Sequence, residues 1–420
     1  MNYFRRSVRN RNKLLQAVKS EVKARLEQSL HNAVRIILLK ETQPEQMPRL
    51  WDMDVKIGRR STFQLPPEAS IVQVFEQTGG KLMILGTQGS GKTTTLLELA
   101  NQLITAAEND ISKPIPVLFD ISSWQEDKQN IADWLISELQ SKYNIPVKIG
   151  KQWINEQQLL PLLDGLDELE LTRQELCLQG INQLLEGENK LKHIVVCTRL
   201  EEYKSCHTKL RLHGAIYLRS LKETQIKEYL MSSRSRELWE NIKNEPQLLE
   251  LAKTPLLLNM MTLAYEEILI HAWKRIADKK ERYEYLLNAY IRRMLTLQIT
   301  SRCYRKNKEP RPEQSRHWLV WLAKRMNESN QKWVVIEKIQ HNWLQTPSQK
   351  RLYHIGVVLT LGGIAGIKHF IICRILWQNG YIPRNYARFL NYATERLFLQ
   401  RVDGQYQFVH QLLQKHLAQL

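Results

Sequence analysis

The chain has 420 residues, 43% of them hydrophobic, which is enough to bury a large core and to form more than one domain. Its 61 Lys and Arg against 43 Asp and Glu give a formal charge of +18, which favours an anionic partner (nucleic acid, a membrane surface or an acidic protein) without choosing among them. Five scattered cysteines (Cys177, Cys197, Cys206, Cys303 and Cys373) include no C-x-x-C pair, which argues against a disulfide framework or a zinc site and for a reducing cytoplasm.

Residues 1–67 read as a short basic helical region and a linker. Ten basic residues (Arg5, Arg6, Arg9, Arg11, Lys13, Lys19, Lys23, Arg25, Arg35 and Lys40) face only Glu21 and Glu27 within residues 1–40. Leu14, Leu15, Val18, Val22, Leu26, Leu30, Val34 and Ile37 form one apolar helical stripe. Packing on the chain's own core is the default for such a helix, with membrane-surface binding or self-association as the alternative. The polar, basic start has no apolar h-region, so no secretory signal is expected. Thr42–Pro67, with four prolines, reads as linker.

Residues 68–220 alternate strand and helix patterns, which predicts a parallel sheet flanked by helices. Leu82–Leu85 reads as a buried strand, and Leu96, Leu97, Ala100, Leu103, Ile104 and Ala107 recur at helical spacing. Between them, Gly86-Thr87-Gln88-Gly89-Ser90-Gly91-Lys92-Thr93 fits G-x-x-x-x-G-K-[ST]. The three glycines let successive N–H groups turn toward one anion, and the helix opening near Lys92 adds its positive end. Nucleotide phosphates would then lie against Gly86, Gln88, Gly89, Ser90, Gly91, Lys92, Thr93 and Thr94. Lys92 would reach the β- and γ-phosphates, and the Thr93 hydroxyl would ligate Mg²⁺. This is the signature of an α/β P-loop NTPase.

A second apolar strand, Leu159–Leu163, runs into Asp164-Gly165-Leu166-Asp167-Glu168. Asp164 stands where a P-loop fold holds Mg²⁺, and either Asp167 or Glu168 would polarise the attacking water. Arg199, ending the strand that starts at His193, would stabilise the γ-phosphate or form an ordinary surface ion pair. Other strands are expected at Ile115–Phe119 and Ala215–Leu218. Beyond Leu221 the strands stop: residues 221–310 read as a helical domain, and residues 312–344 read as helical too. Residues 311–420 end in helix, Leu397–Val402, Asp403-Gly404, Tyr406–Val409, helix. Asp-Gly between two such runs is a hairpin signal, so a winged-helix domain is expected.

These stretches resemble the NACHT domain of the STAND-class NTPases, a group that includes animal NOD-like receptors and many bacterial proteins. The resemblance rests on Gly86–Thr93, on the double acidic step Asp164-Gly165-Leu166-Asp167-Glu168, and on Val195-Val196-Cys197-Thr198-Arg199. Thr254-Pro255-Leu256-Leu257-Leu258 is similar to the helical-domain proline motif, which implies that Pro255 lies at the adenine. Tyr406–His410 is similar to the winged-helix segment whose histidine, here His410, contacts the β-phosphate of ADP. From the residues alone, Pro255 is a helix-start proline and His410 a core histidine. Asn379–Pro383 and Asn385–Leu390 resemble cyanobacterial members. Gln88 stands where many relatives carry Pro or Ala, and no repeat array is expected behind the winged helix.

The resemblance implies a slow ATP hydrolase that acts as a switch in signalling or defence, closed with ADP and open and self-oligomerising with ATP and Mg²⁺, in response to a protein trigger. Two rivals stand beside it: a nucleic-acid-binding ATPase that uses the winged helix and the +18 charge, and a membrane-attached scaffold. The scaffold would use the Gly-rich apolar insert at 353–376. Its uncharged core, Ile355–Ile367, spans only about 20 Å as a helix against the roughly 30 Å of a bilayer core, so a packed helix or hairpin is favoured. Cytoplasmic location is expected, with membrane association through 355–376 as the alternative.

Overall fold

The computed structural model describes residues 2–34, 53–58, 62–64, 70–124, 129–186, 191–305, 307–329, 331–336, 339, 343–359, 365–402 and 404–420. The first elements are α1 (Asn2–Glu27), α2 (Leu30–Val34), β1 (Met53–Ile57), β2 (Phe63–Gln64), α3 (Ile71–Gln77), β3 (Lys81–Gly86), α4 (Lys92–Asn109) and β4 (Ile115–Asp120). Next come α5 (Ile131–Tyr143), α6 (Val147–Asn155), β5 (Leu159–Asp164), α7 (Leu171–Glu186), β6 (Ile194–Arg199), α8 (Leu200–Ser205) and β7 (Gly214–Leu218). Helices follow: α9 (Glu223–Ser232), α10 (Arg236–Lys243), α11 (Pro246–Ala252), α12 (Pro255–Ala264), α13 (Ile270–Arg275), α14 (Lys279–Thr296) and α15 (Pro312–Glu328). The chain ends with β8 (Val334–Val335), α16 (Pro347–Leu359), α17 (Ala365–Gln378), α18 (Tyr386–Glu395), β9 (Leu399–Val402), β10 (Gln405–Phe408) and α19 (Gln411–Gln419). Two compact units result, one of Met1–Glu27 with Glu41–Leu258, the other of Gln28–Lys40 with Asn259–Leu420.

The first unit is built on a sheet of order β2-β1-β7-β3-β6-β5-β4, in which β7, β3, β6, β5 and β4 run parallel. Helices cover such a sheet on both faces, so its strands are continuous apolar runs; Leu82–Leu85, Leu159, Leu160, Leu162, Leu163 and Ile194–Cys197 are all buried. Pro161 has no N–H for a ladder, and β5 pairs with β6 only beyond it, from Leu162 and Leu163 to Val195 and Val196. Register sets the strand tips: Gly86 pairs with Arg199 and Asp164 with Asp120, which brings the ends of four strands to one side.

The linker expectation for Thr42–Pro67 needs correction. Residues 53–57 form β1, antiparallel to β7 with Met53 opposite Leu218, and β2 pairs with β1. The apolar face of the alternation Met53-Asp54-Val55-Lys56-Ile57 buries Met53 and Val55, while Asp54 pairs with Arg219 at the end of β7. The rest of the linker stretch, apart from Gly58 and residues 62–64, lies outside the described residues.

The basic N-terminal helix packs on its own unit. It lies against α4 and β4 and buries Leu14, Leu15, Val18 and Val22 of the expected stripe; Ile37 is outside the described residues. Two charged groups go under with it. Arg11 Nη2 donates to the carbonyls of Ala107, in the last turn of α4, and Lys113, in the loop before β4, at 3.1 and 2.9 Å. Glu21, only 1% exposed, accepts from Lys142 Nζ and Tyr143 Oη, each at 2.7 Å.

The second unit is helical with a small sheet of order β8-β10-β9. The expected hairpin forms, Gln405 opposite Val402 and Phe408 opposite Leu399, and Gly404 takes the left-handed φ of +80° that its turn requires. β8 corrects the wholly helical reading of 312–344: Val334 and Val335 extend the hairpin by one short strand. Arg396 gathers the last carbonyls of α14 (Met294, Leu295) and Leu297, and Tyr290 Oη bonds the Leu397 carbonyl. On the other side of β9, the Gln28 amide accepts from Arg401 N at 2.7 Å and donates to Arg401 O at 3.0 Å, in the manner of a pairing strand. Within the Gly-rich insert, α16 and α17 pack against each other, and residues 360–364 lie outside the described residues. No helix among the described residues is long and apolar enough to cross a membrane.

Candidate nucleotide-binding site

The tips of β3, β5 and β6 carry the chemistry, as open parallel sheets generally place it. After β3 the chain passes through Gly89 (φ +76°) and Gly91 (φ +97°) into α4. Gly91 is the N-cap of α4 in left-handed conformation, and no side chain caps the helix, so its first N–H groups face the loop. Lys92 Nζ donates to the loop carbonyls of Thr87 (2.9 Å) and Gly86 (3.3 Å). Ser90 Oγ is buried and makes no hydrogen bond in the structure.

Asp164 faces this loop. Thr93 Oγ1 donates to Asp164 Oδ2 at 2.8 Å, while Asp164 Oδ1 accepts from Gly165 N at 3.1 Å. Gly165, at φ +86°, turns the chain at once into the Leu166–Glu168 turn, which carries the other two carboxylates. Burial raises the Asp167 carboxyl above the ordinary carboxylate range; Lys92 and Arg199 pull it back down, and Asp164 adds to the rise. Arg199 Nε lies 2.8 Å from Asp167 Oδ2, and Arg199 Nη1 is 2.9 Å from Glu202 Oε1 on α8. Glu202 was not anticipated, although its i, i+3 spacing from Arg199 is visible in the sequence.

A magnesium–nucleotide group fits these residues on three counts. An uncapped helix start and an orphaned buried hydroxyl suit an anion, and a Thr–Asp oxygen pair suits a hard cation that completes its shell with phosphates and water. Among the described residues no group of three or more His, Cys, Asp or Glu could hold a metal unaided.

Pro255 starts α12, and the next residue reaches the glycine loop: Leu256 N donates to Gly89 O at 3.2 Å. A Cβ on Gly89 would sit 3.0 Å from both Leu256 Cβ and Thr254 Cγ2, so this glycine answers to a close approach as well as to its φ. The loop before α12 is held in turn by Leu221 N donating to Lys253 O at 2.8 Å. The first unit therefore brings together Gly86–Thr94, Asp164, Asp167, Glu168, Arg199 and Pro255. His410 belongs to the second unit, where it is the N-cap of α19 and its Nδ1 accepts from Leu412 N at 3.1 Å.

Among solved structures, the chain is similar at 12% identity to Cdc6p from Pyrobaculum aerophilum, with 80% of this chain and 86% of that one covered and a TM-score of 0.30. It is similar, also at 12% identity, to the Orc1 protein of Aeropyrum pernix in complex with DNA, over 92% and 96% of the two chains at a TM-score of 0.35. A third is the Walker-type ATPase paby2304 of Pyrococcus abyssi, at 12% identity over 80% and 90% and a TM-score of 0.28. No curated protein matches the chain significantly. The family model of the NACHT domain matches residues 81–237, which span β3 with its glycine loop, the acidic step after β5 and Arg199. With that match on this geometry, residues 81–237 are a NACHT domain, a nucleotide-binding domain of the P-loop NTPase class.

Proposed function

We propose that this protein is a nucleotide-switched regulatory ATPase of the STAND type, which binds ADP or ATP with Mg²⁺ at the glycine loop and hydrolyses ATP slowly. The Thr93–Asp164 hydrogen bond carries the reading, because it joins the two residues that would share the metal before any nucleotide is needed to organise them. Lys92 and the N–H groups of Gly86–Thr94 bind phosphate, Asp164 and Thr93 hold Mg²⁺, Asp167 or Glu168 orients water, and Arg199 meets the γ-phosphate. Pro255 borders the adenine, and the Leu256–Gly89 bond supports this by coupling α12 to the loop. In this reading residues 311–420 are a winged-helix domain that closes with ADP through His410 and opens with ATP, permitting self-oligomerisation in signalling or defence.

Identification of the nucleotide that co-purifies with the protein, followed by calorimetry with ADP and with ATP and Mg²⁺, tests the reading; absence of binding to either overturns it. The +18 charge favours a second reading, a nucleic-acid-binding ATPase. It predicts binding of duplex DNA or RNA at physiological salt that weakens steeply as salt rises, and absence of such binding removes it.

A further inference from the structure

The three carboxylates after β5 are not equivalent. Asp164 is engaged by the Thr93 hydroxyl and by Gly165 N. Asp167, whose side chain is 10% exposed, faces instead across to the tip of β6 and the Arg199 guanidinium. That guanidinium is gripped from two sides, by Asp167 from the turn after β5 and by Glu202 from α8. The two grips differ in kind. Arg199 Nη1 makes a proper hydrogen bond to Glu202 Oε1, whereas Nε, 2.8 Å from Asp167 Oδ2, is buried without an aligned hydrogen bond. Charge holds it there while one donor is left unsatisfied, and a buried unsatisfied donor favours whatever acceptor relieves it. Arg199 also pairs in register with Gly86, the first residue of the glycine loop.

We propose that Asp167 is a positioning residue: it holds Arg199 beside the glycine loop so that the guanidinium distinguishes a nucleoside triphosphate from a diphosphate. It is not the group that takes the proton of the attacking water. Protonating Asp167 would discharge the pair that holds Arg199, so a base at this position would release its own neighbour at every turnover. The inference rests on the nucleotide-site reading above and assigns one of its two open carboxylates.

The test is calorimetry of ADP and of the slowly hydrolysed triphosphate ATPγS, each with Mg²⁺, on wild type, Asp167→Asn, Arg199→Gln and the double variant. ADP affinity should stay within about twofold throughout. ATPγS should bind about 10- to 100-fold more weakly to each single variant, the loss of one charge-assisted contact, and no more weakly still to the double variant. Asp167→Glu should recover part of the triphosphate preference. Additive losses, or an Asp167→Asn protein that keeps the full ATPγS preference while kcat collapses, would overturn the inference in favour of a base. A wild type that binds neither nucleotide overturns the site reading itself, and the inference with it. Melting temperature separates either result from misfolding, since a misfolded variant would lose ADP affinity as well.

Discussion

Two helices of this chain begin directly after a strand, at residues that resemble phosphate contacts, and they begin in opposite ways. α4 starts behind Gly91 in a left-handed conformation with no side chain over its first N–H groups. α19 starts behind His410, whose ring nitrogen already accepts from Leu412 N. A helix start is an anion site only while its donors are open, and the same orphan groups disappear once a cap supplies the acceptor. Resemblance marks both positions, whereas the local hydrogen bonding gives them different jobs. The start of α4 leaves its donors without a side-chain cap, and the start of α19 is stabilised by its own side chain. The bond from Leu412 N occupies Nδ1 as an acceptor, so any phosphate contact by His410 would be made by Nε2 as donor.

The contrast can be broken most forcefully at α4. Lys92→Ala removes the ammonium held at the glycine loop, and ADP and ATP should bind about 10- to 100-fold more weakly, with hydrolysis lost. Unchanged affinities in calorimetry would mean that the open start is not an anion site. Asp164→Ala removes the acceptor for Thr93 and should abolish the Mg²⁺ dependence of binding while leaving metal-free nucleotide affinity nearly unchanged, as titrations with and without EDTA would show.

At α19 the expected effect is smaller and of another kind. His410→Ala should cost about 1 kcal/mol of stability as a lost cap, a fall of roughly 2–4 °C in the melting transition, and His410→Asn should restore most of it. If the ADP-to-ATP affinity ratio moves in both variants, the imidazole contacts nucleotide; if it moves in neither, His410 is a cap alone.

The smallest effect concerns Asp167. Its folded-state pKa is raised by burial, so the folded chain holds that proton more tightly than the unfolded one. The corresponding stability is fully present below the ordinary carboxylate range and is lost as pH rises through the raised value. Asp167→Asn should therefore melt slightly higher than wild type near neutral pH, and the difference should vanish in acid; a variant that melts lower at pH 7 would show that the Arg199 contact outweighs the burial cost. A gain in stability alongside weaker triphosphate binding is what a strained functional group produces.

What could be read from the chain follows from distance along it. The glycine loop, with its strand before and helix after, is a local pattern, and so is the acidic step behind Leu159–Leu163. The Asp403-Gly404 hairpin shows for the same reason. The Leu256–Gly89 bond joins residues far apart in sequence through backbone atoms, which carry no residue signature at all. β1 escaped because five alternating residues sit among prolines and become a strand only by pairing with β7. β8 is two residues long and owes its existence to the hairpin that it joins. The Arg199–Asp167 pair lies between these cases: both residues stood out singly, and only the fold couples them.

The N-terminal residues also bear on how the sheet meets solvent. Its natural borders are β2 on one side and β4 on the other, with α1 lying against β4. A chain begun at residue 68, where the strand–helix alternation starts, would keep every phosphate-binding residue and lose α1, β1 and β2 together. β7 would then present an unpaired ladder of N–H and C=O groups, β4 would lose its neighbouring helix, and Arg11 would no longer occupy the Ala107 and Lys113 carbonyls. Bare strand edges recruit other bare strand edges, so such a fragment should self-associate into strand-paired aggregates even with its glycine loop intact. On that expectation, pairing of β1 with β7 and packing of α1 against β4 would limit edge-to-edge association of the sheet.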